Sequence, residues 1–148
     1  MNAALFDAAK AAASNAHAPY SRFGVGAALL LNDGTTVTGC NFENASYGLS
    51  LCAESVALAT LNAQGKLRHV REVGIVGGAL KDGVISGSAP VRPCGRCRQM
   101  LNEAAQLART DIIVHCASAD LSVVERHRLS DLLPFPFGPQ DLGLVQDD

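Results

Sequence analysis

The 148-residue sequence predicts an α/β fold, a three-layer α/β/α sandwich around one mixed five-stranded sheet, in a single domain spanning 1–148. Three observations predict it. Candidate elements run helix, strand, strand, and then alternate strand with helix. Hydrophobic residues make up 48% of the chain and charged ones 18%, which suits a dense core or a large subunit interface and excludes a disordered chain. No Gly/Ser/Pro linker, internal repeat or low-complexity stretch divides the sequence. A chain of this length buries about two thirds of its unfolded surface, so the fold itself needs neither metal nor disulfide.

The elements follow in order. Residues 2–17 are alanine-rich, with Leu5, Phe6, Ala9, Ala12, Ala13 and Ala16 at helical spacing and Pro19 closing the segment. The apolar run from Gly24 to Leu31 reads as a buried strand, and Asn32-Asp33-Gly34 turns the chain back into a partner strand over Thr35–Asn41. Asn41–Ser50 is a polar loop carrying Phe42 and Tyr47, with Ser50 placed to cap a helix over Leu51–Asn62 that Gly65 ends. Val70–Gly77 is a third strand, and Lys81–Pro90 reads as flexible loop. A helix starts at Gly95 or Cys97 and runs through Leu107. Ile112–Cys116 and Leu121–Arg126 are short strands, and Leu129–Leu133 a turn of helix before a proline-rich tail.

Charge narrows the function classes. Twelve Lys and Arg against fourteen Asp and Glu leave a net charge of −2, and no run of like charges exceeds two residues. That balance excludes the electrostatic footprint of a nucleic-acid or anionic-lipid binder and suits a small neutral ligand. No apolar stretch approaches the about 20 residues of a membrane span. An odd number of cysteines and a start without a basic region or an apolar signal core point to a reducing, cytoplasmic home.

Chemistry concentrates at Pro93-Cys94-Gly95-Arg96-Cys97, a knuckle that can turn two thiols toward one ion, and at Cys52-Ala53-Glu54. Each of these cysteines falls at or near a helix N-terminus, where partial positive charge favours thiolates. Zn2+ is the natural tenant of Cys52, Cys94 and Cys97, one ion per chain, with the fourth tetrahedral position left for water. Zinc draws the pKa of that water from about 15.7 toward about 7, and three thiolates blunt the effect, so a nearby base gains importance. Glu54, two residues past Cys52, is near the metal and points elsewhere, as a proton carrier should. A structural zinc site would need a fourth protein ligand, and Cys40, Cys116, His17, His69, His115 and His127 remain open for that role. Cys40 and Cys116 sit in strand-like apolar runs and read as buried, inert thiols.

Together, Cys-Ala-Glu at one helix start and Pro-Cys-Gly-x-Cys-Arg-Gln at the next resemble the cytidine deaminase family, whose zinc chemistry is well defined. The resemblance extends to Tyr20–Leu29, Asn41–Gly48 and Leu132–Pro139, in the family's order. It implies the short, homotetrameric, zinc-dependent type. Such an enzyme deaminates cytidine and 2'-deoxycytidine to uridine and 2'-deoxyuridine in pyrimidine salvage, with Glu54 moving protons to N3 and to the departing amine. The resemblance also implies that Asn41 and Glu43 hold the ribose hydroxyls, that Phe23 packs near sugar and base, and that the Ala53 backbone meets the pyrimidine. Phe137 is implied to reach into a site, and Tyr47 to serve a neighbouring subunit's site, which makes the active sites shared.

One position departs from the pattern. The family commonly reads Cys-Ala-Glu-Arg, and Ser55 stands where that arginine would offset the surplus negative charge of three thiolates on one Zn2+. Arg98, Arg96 or Arg92, with the two helix N-termini, are the candidates to take over that charge compensation. Two other deaminase readings stay in view: an enzyme for a modified or antibiotic nucleoside such as blasticidin S, whose enzymes also lack this arginine, and a polynucleotide-editing enzyme. A non-catalytic zinc-stapled module is the rival outside enzymes.

Overall fold

The structure, a computed structural model, describes residues 2–146. Helix α1 covers Ala3–Ala13, β1 Phe23–Leu31, β2 Thr36–Cys40, α2 Ala53–Ala63, β3 Val70–Lys81 and β4 Val84–Ser86. They are followed by α3 at Gly95–Ala108, β5 at Ile113–Ser118, β6 at Val124–Arg128 and the single turn α4 at Leu129–Leu132. The main sheet runs β2-β1-β3-β5-β6. Neighbours are antiparallel except for β3 and β5, which are parallel and joined through α3.

Side-chain alternation along the strands divides the core in two. Ala27, Leu29 and Leu31 of β1, Val73 and Ile75 of β3, and Val114 and Cys116 of β5 face α2 and α3. Ala28, Val76 and Ala117 point the opposite way and meet Leu5, Phe6, Ala9 and Ala13 of α1. One helix on one face and two on the other make the three layers expected. Two glycines set how closely the layers approach. A Cβ on Gly26 would collide with the Ala9 carbonyl of α1, and one on Gly39 would lie 2.5 Å from Ala57 N and 2.7 Å from Ala53 O. α2 therefore rests directly on β2, at the same end that presents Cys52.

The sheet has a sixth strand that the sequence reading assigned to flexible loop. Asp82 (φ 49°) and Gly83 (φ 74°) form a two-residue turn with both residues left-handed, and β4 folds back onto Ala79–Lys81. An Asp-Gly pair is a two-residue hairpin signal, here set between Lys81 and Val84 in a polar, glycine-rich stretch. Boundaries differ elsewhere for local reasons. α1 stops at Ala13, not at residue 17, and His17 instead pairs its backbone with Asn41 and Glu43. β6 begins at Val124 because the Asp120 carboxylate takes the Ser118 hydroxyl together with the N–H and hydroxyl of Ser122, holding 118–122 as a turn. Ser50 is not the cap of α2. Phe42 and Leu51 exchange backbone hydrogen bonds of 2.9 and 2.8 Å, which keeps the chain extended until Cys52 occupies the capping position.

Candidate active site

Two helix N-termini meet at one point. Cys52 caps α2, Cys94 caps α3 and Cys97 lies in the first turn of α3. Their three sulfurs lie within 4.8 Å of one another, with Cys52 and Cys94 3.8 Å apart. Neither cap uses a side-chain oxygen, so unsatisfied N–H groups and the positive ends of both dipoles point toward the sulfurs. The donor set fits a soft divalent ion such as zinc, and three ligands leave a fourth position open. No disulfide links cysteines among the described residues.

Protonation follows this geometry. The Cys52 thiol is drawn down to about 6 by hydrogen bonds with Cys97 and Cys94 and by the Arg96 guanidinium, against the opposing effect of burial. Cys97 moves the other way, since it keeps the proton that the Cys52 thiolate accepts and is fully buried. Glu54, in the first turn of α2 and only 4% exposed, is raised by burial and then by the charge on Cys52. A carboxyl raised in this way exchanges protons nearer neutral pH than an exposed one does.

One cleft of about 270 Å3 brings these groups to a ligand: Cys52, Ala53, Glu54 and Cys94 line it together with Asn41 and Glu43. The polar pair is held by the backbone. Asn41 accepts from Val25 N at 2.9 Å and donates to Phe23 O at 2.8 Å, leaving one amide N–H unused. Glu43 accepts from the N–H groups of Tyr20 and Ser21, both at 3.1 Å. Hydrogen bonds from Ser21 and Tyr20 hold its carboxyl below the ordinary value, so it is an acceptor at neutral pH. The backbone pairing of His17, Phe42 and Leu51 fixes this segment against the α2 cap.

Phe23, Tyr47, Phe137, Arg96 and Arg98 lie off this cleft within the chain, and Arg92 lines it. Phe23 is partly exposed at the start of β1. Tyr47 is 73% exposed and stacks edge-on with Tyr20 at 5.5 Å, over a hollow that shares Glu43 and Ser50 with the cleft. Phe137 is 61% exposed, and its carbonyl accepts from Gln99 and Asn102 of α3. Among the arginines, Arg98 donates to the Pro93 carbonyl at 2.8 Å and the Leu132 carbonyl at 3.0 Å, and Arg92 is paired bidentately with Glu125. Sequence reasoning missed Val25 and Val91 as cleft walls. Val25 packs on the same side as Ala27 and Leu29, which the uniformly apolar run Gly24–Leu31 does not reveal, and nothing local to Val91 distinguishes it.

A second donor group must be weighed. Cys116, Glu125 and His127 also lie within 4.8 Å of one another. Burial pushes the Cys116 thiol up to about 12, and Glu125 is engaged by Arg92 at 2.6 and 2.9 Å and by His127 at 3.2 Å. An ion pair already fills that group. His115 and His69 face neither donor group: His115 pairs with Glu72 at 2.8 Å, and His69 with Asn32 at 3.4 Å.

Comparison with known proteins agrees with the geometry. The family model of the cytidine and deoxycytidylate deaminase zinc-binding region matches residues 1–114. A cytidine deaminase of Mycobacterium tuberculosis is 44% identical over 131 residues, covering 88% of this chain and 85% of the relative. One from Halalkalibacterium halodurans is 39% identical over 132 residues, 89% of this chain and 90% of the relative. A 1.6 Å crystal structure of cytidine deaminase from Burkholderia pseudomallei superposes with a TM-score of 0.79 at 40% identity, covering 93% of this chain and 99% of that one. Identity at this level across nearly nine tenths of the sequence reflects common descent, and the chain belongs to the cytidine deaminase family.

Proposed function

We propose that this chain, acting as a single catalytic domain over 1–148, hydrolyses cytidine and 2'-deoxycytidine to uridine and 2'-deoxyuridine with release of ammonia, in pyrimidine salvage. The observation that carries the reading is one cleft combining metal-ligating thiols, a buried carboxyl of raised pKa, and a backbone-held Asn/Glu pair. Cys52, Cys94 and Cys97 would hold the Zn2+. When bound, the ion supplies the Lewis acidity that ionises a water for attack on C4 of the pyrimidine.

The rest falls to the chain. Glu54 accepts the proton lost from the water and passes it to N3. It then takes the remaining proton from the new C4 hydroxyl and delivers it to the exocyclic amine as the C4–N bond breaks and C4=O forms, so that one water is consumed and one ammonia leaves. Being raised by burial, its carboxyl can both take and give the proton. Asn41 offers its unused N–H and Glu43 its carboxylate oxygens to the ribose hydroxyls; an acceptor beside a donor suits a neutral diol. The Ala53 backbone, fully buried at the first position of α2, borders the pyrimidine, with Phe23 at the margin of base and sugar. Of the arginines, Arg96 compensates thiolate charge through its pull on Cys52, and Arg98 adds its charge from the first turn of α3.

Exposed Tyr47 and Phe137 suit a homotetramer in which each subunit completes a neighbour's site, since large aromatic surface of this kind is characteristic of interface cores. A cytoplasmic location accords with five free thiols and with the lack, among the described residues, of a helix long and apolar enough to cross a membrane. Ammonia release from cytidine, 2'-deoxycytidine and blasticidin S, compared side by side, tests the substrate. Turnover of the first two is expected, and turnover confined to blasticidin S overturns the reading.

A further inference from the structure

Three thiolates on one divalent ion leave one surplus negative charge, and the part of it on Cys97 is the hardest to offset. Cys97 is fully buried. Cys94 is exposed and Cys52 partly so, which lets water share their charge. Arg96 acts on Cys52, and the guanidinium of Arg98 is committed to the Pro93 and Leu132 carbonyls. The group that does reach Cys97 comes from the facing helix. Ser55, 3% exposed in the first turn of α2, places Oγ 3.6 Å from Cys97 Sγ and 3.1 Å from Met100 Sδ.

A serine hydroxyl has one proton, so it can serve only one of these two sulfurs at a time. While Cys97 is a thiol, its proton is turned to Cys52 and Ser55 donates to the Met100 thioether at 3.1 Å. Once Cys97 is a thiolate, its S–H is gone and Ser55 Oγ faces a charged acceptor on one side and a weak neutral one on the other. A hydrogen bond to an ionised partner is roughly twice as strong as one between neutral groups, and both residues are buried from solvent. The hydroxyl therefore turns from Met100 to Cys97 by rotation about χ1 and the C–O bond, with no movement of either helix.

We propose that Ser55 is a positioning residue for the metal site, its hydroxyl donating a hydrogen bond to the ligating Cys97 thiolate and so reducing the electron density that sulfur gives the ion. Met100 is the parking place of the same proton when the metal is absent. The inference rests on the assignment of Cys52, Cys94 and Cys97 as zinc ligands. It replaces a full positive charge beside the sulfurs with a dipole, which lessens the surplus charge without cancelling it, and leaves the helix N-termini to offset the remainder.

Cobalt substitution of the purified holoenzyme reads this directly, because the sulfur-to-cobalt charge-transfer band reports the electron density on the thiolates. The chain, Ser55→Ala, Ser55→Thr and Met100→Leu are each loaded with Co2+ alone, and zinc retention against a chelator is measured on parallel zinc samples. Ser55→Ala is expected to move the band to longer wavelength and to change metal retention about ten- to a hundredfold, as loss of a ligand's hydrogen-bond partner does. Ser55→Thr, which restores a hydroxyl, is expected to return the band toward its original position, and Met100→Leu to leave it in place. An unchanged band and unchanged retention in Ser55→Ala would overturn the proposal, as would a threonine variant indistinguishable from alanine. If the unsubstituted chain takes up cobalt without any sulfur charge-transfer band, the ligand assignment itself is wrong and the role of Ser55 falls with it.

Discussion

Two groups of potential metal ligands, each with its donor atoms within 4.8 Å of one another, occur among the described residues and have opposite fates. Cys52, Cys94 and Cys97 stand on the N-termini of two helices, where the backbone supplies positive potential and Cys52 is drawn down to about 6. Cys116 stands on β5 and Glu125 and His127 on the edge strand β6, and a sheet, whose strand dipoles alternate, offers no comparable field. There the thiol is pushed up to about 12 and the carboxylate has an arginine for its cation. Proximity of donors does not make a metal site. The backbone beneath them decides whether the donors are ready to bind.

The largest expected effect separates the two groups outright. Cys97→Ala should abolish both stoichiometric zinc and ammonia release, because two remaining thiolates no longer make a three-ligand site. Cys116→Ala should retain the metal and cost about 1 kcal/mol of stability from its buried position, seen as a modest drop in Tm. Zinc lost from the second variant and kept by the first would reverse the assignment. Next in size is Glu54→Gln, which should lower kcat roughly a hundred- to ten-thousandfold by removing proton transfer while zinc content stays at the level of the unsubstituted chain. An unaffected rate would end the claim for this carboxyl.

A smaller effect tests the support beneath the first group. Gly39→Ala forces α2 away from β2, where a Cβ would lie 2.5 Å from Ala57 N, and should cost about 1–3 kcal/mol in the manner of an overpacked core. Because α2 carries Cys52, zinc retention should weaken along with Tm. A variant that loses stability and keeps its zinc affinity would show that the two are not linked. The smallest effect belongs to the second group. The carboxyl of Glu125 is held below its ordinary value first by Arg92 and then by His127. The pair therefore stabilises the fold above the ordinary glutamate pKa of about 4.3, and that contribution is lost as pH falls through the lower folded value. Arg92→Ala should move the Glu125 titration, followed by NMR, back upward, with zinc still one per chain.

Much of this was legible in the sequence. The layer order, the β1–β2 hairpin and the start of α3 followed from apolar spacing and turn residues, and the two cysteine motifs pointed to the donor trio before any geometry was known. What was not legible depended on contacts between distant segments. Ser50 resembled a cap by position, yet the pairing of Phe42 with Leu51 passed that role to Cys52. The Asp82-Gly83 turn was masked by a polar, glycine-rich neighbourhood. The most consequential gap was Ser55. In the sequence it is an arginine that is missing; in the structure it is a hydroxyl between two sulfurs, and nothing local to Ser55 announces Met100 as its other partner.

The central claim is that a zinc ion on Cys52, Cys94 and Cys97 and the carboxyl of Glu54 together deaminate a cytosine nucleoside. It is tested most directly on one sample of the purified chain, by metal analysis alongside the ultraviolet loss of cytidine absorbance. One zinc per chain with steady conversion to uridine, both lost on chelation and both restored by added zinc, is the expected result. Conversion that persists in metal-free protein, or a full zinc complement with no conversion of cytidine or 2'-deoxycytidine, would contradict it.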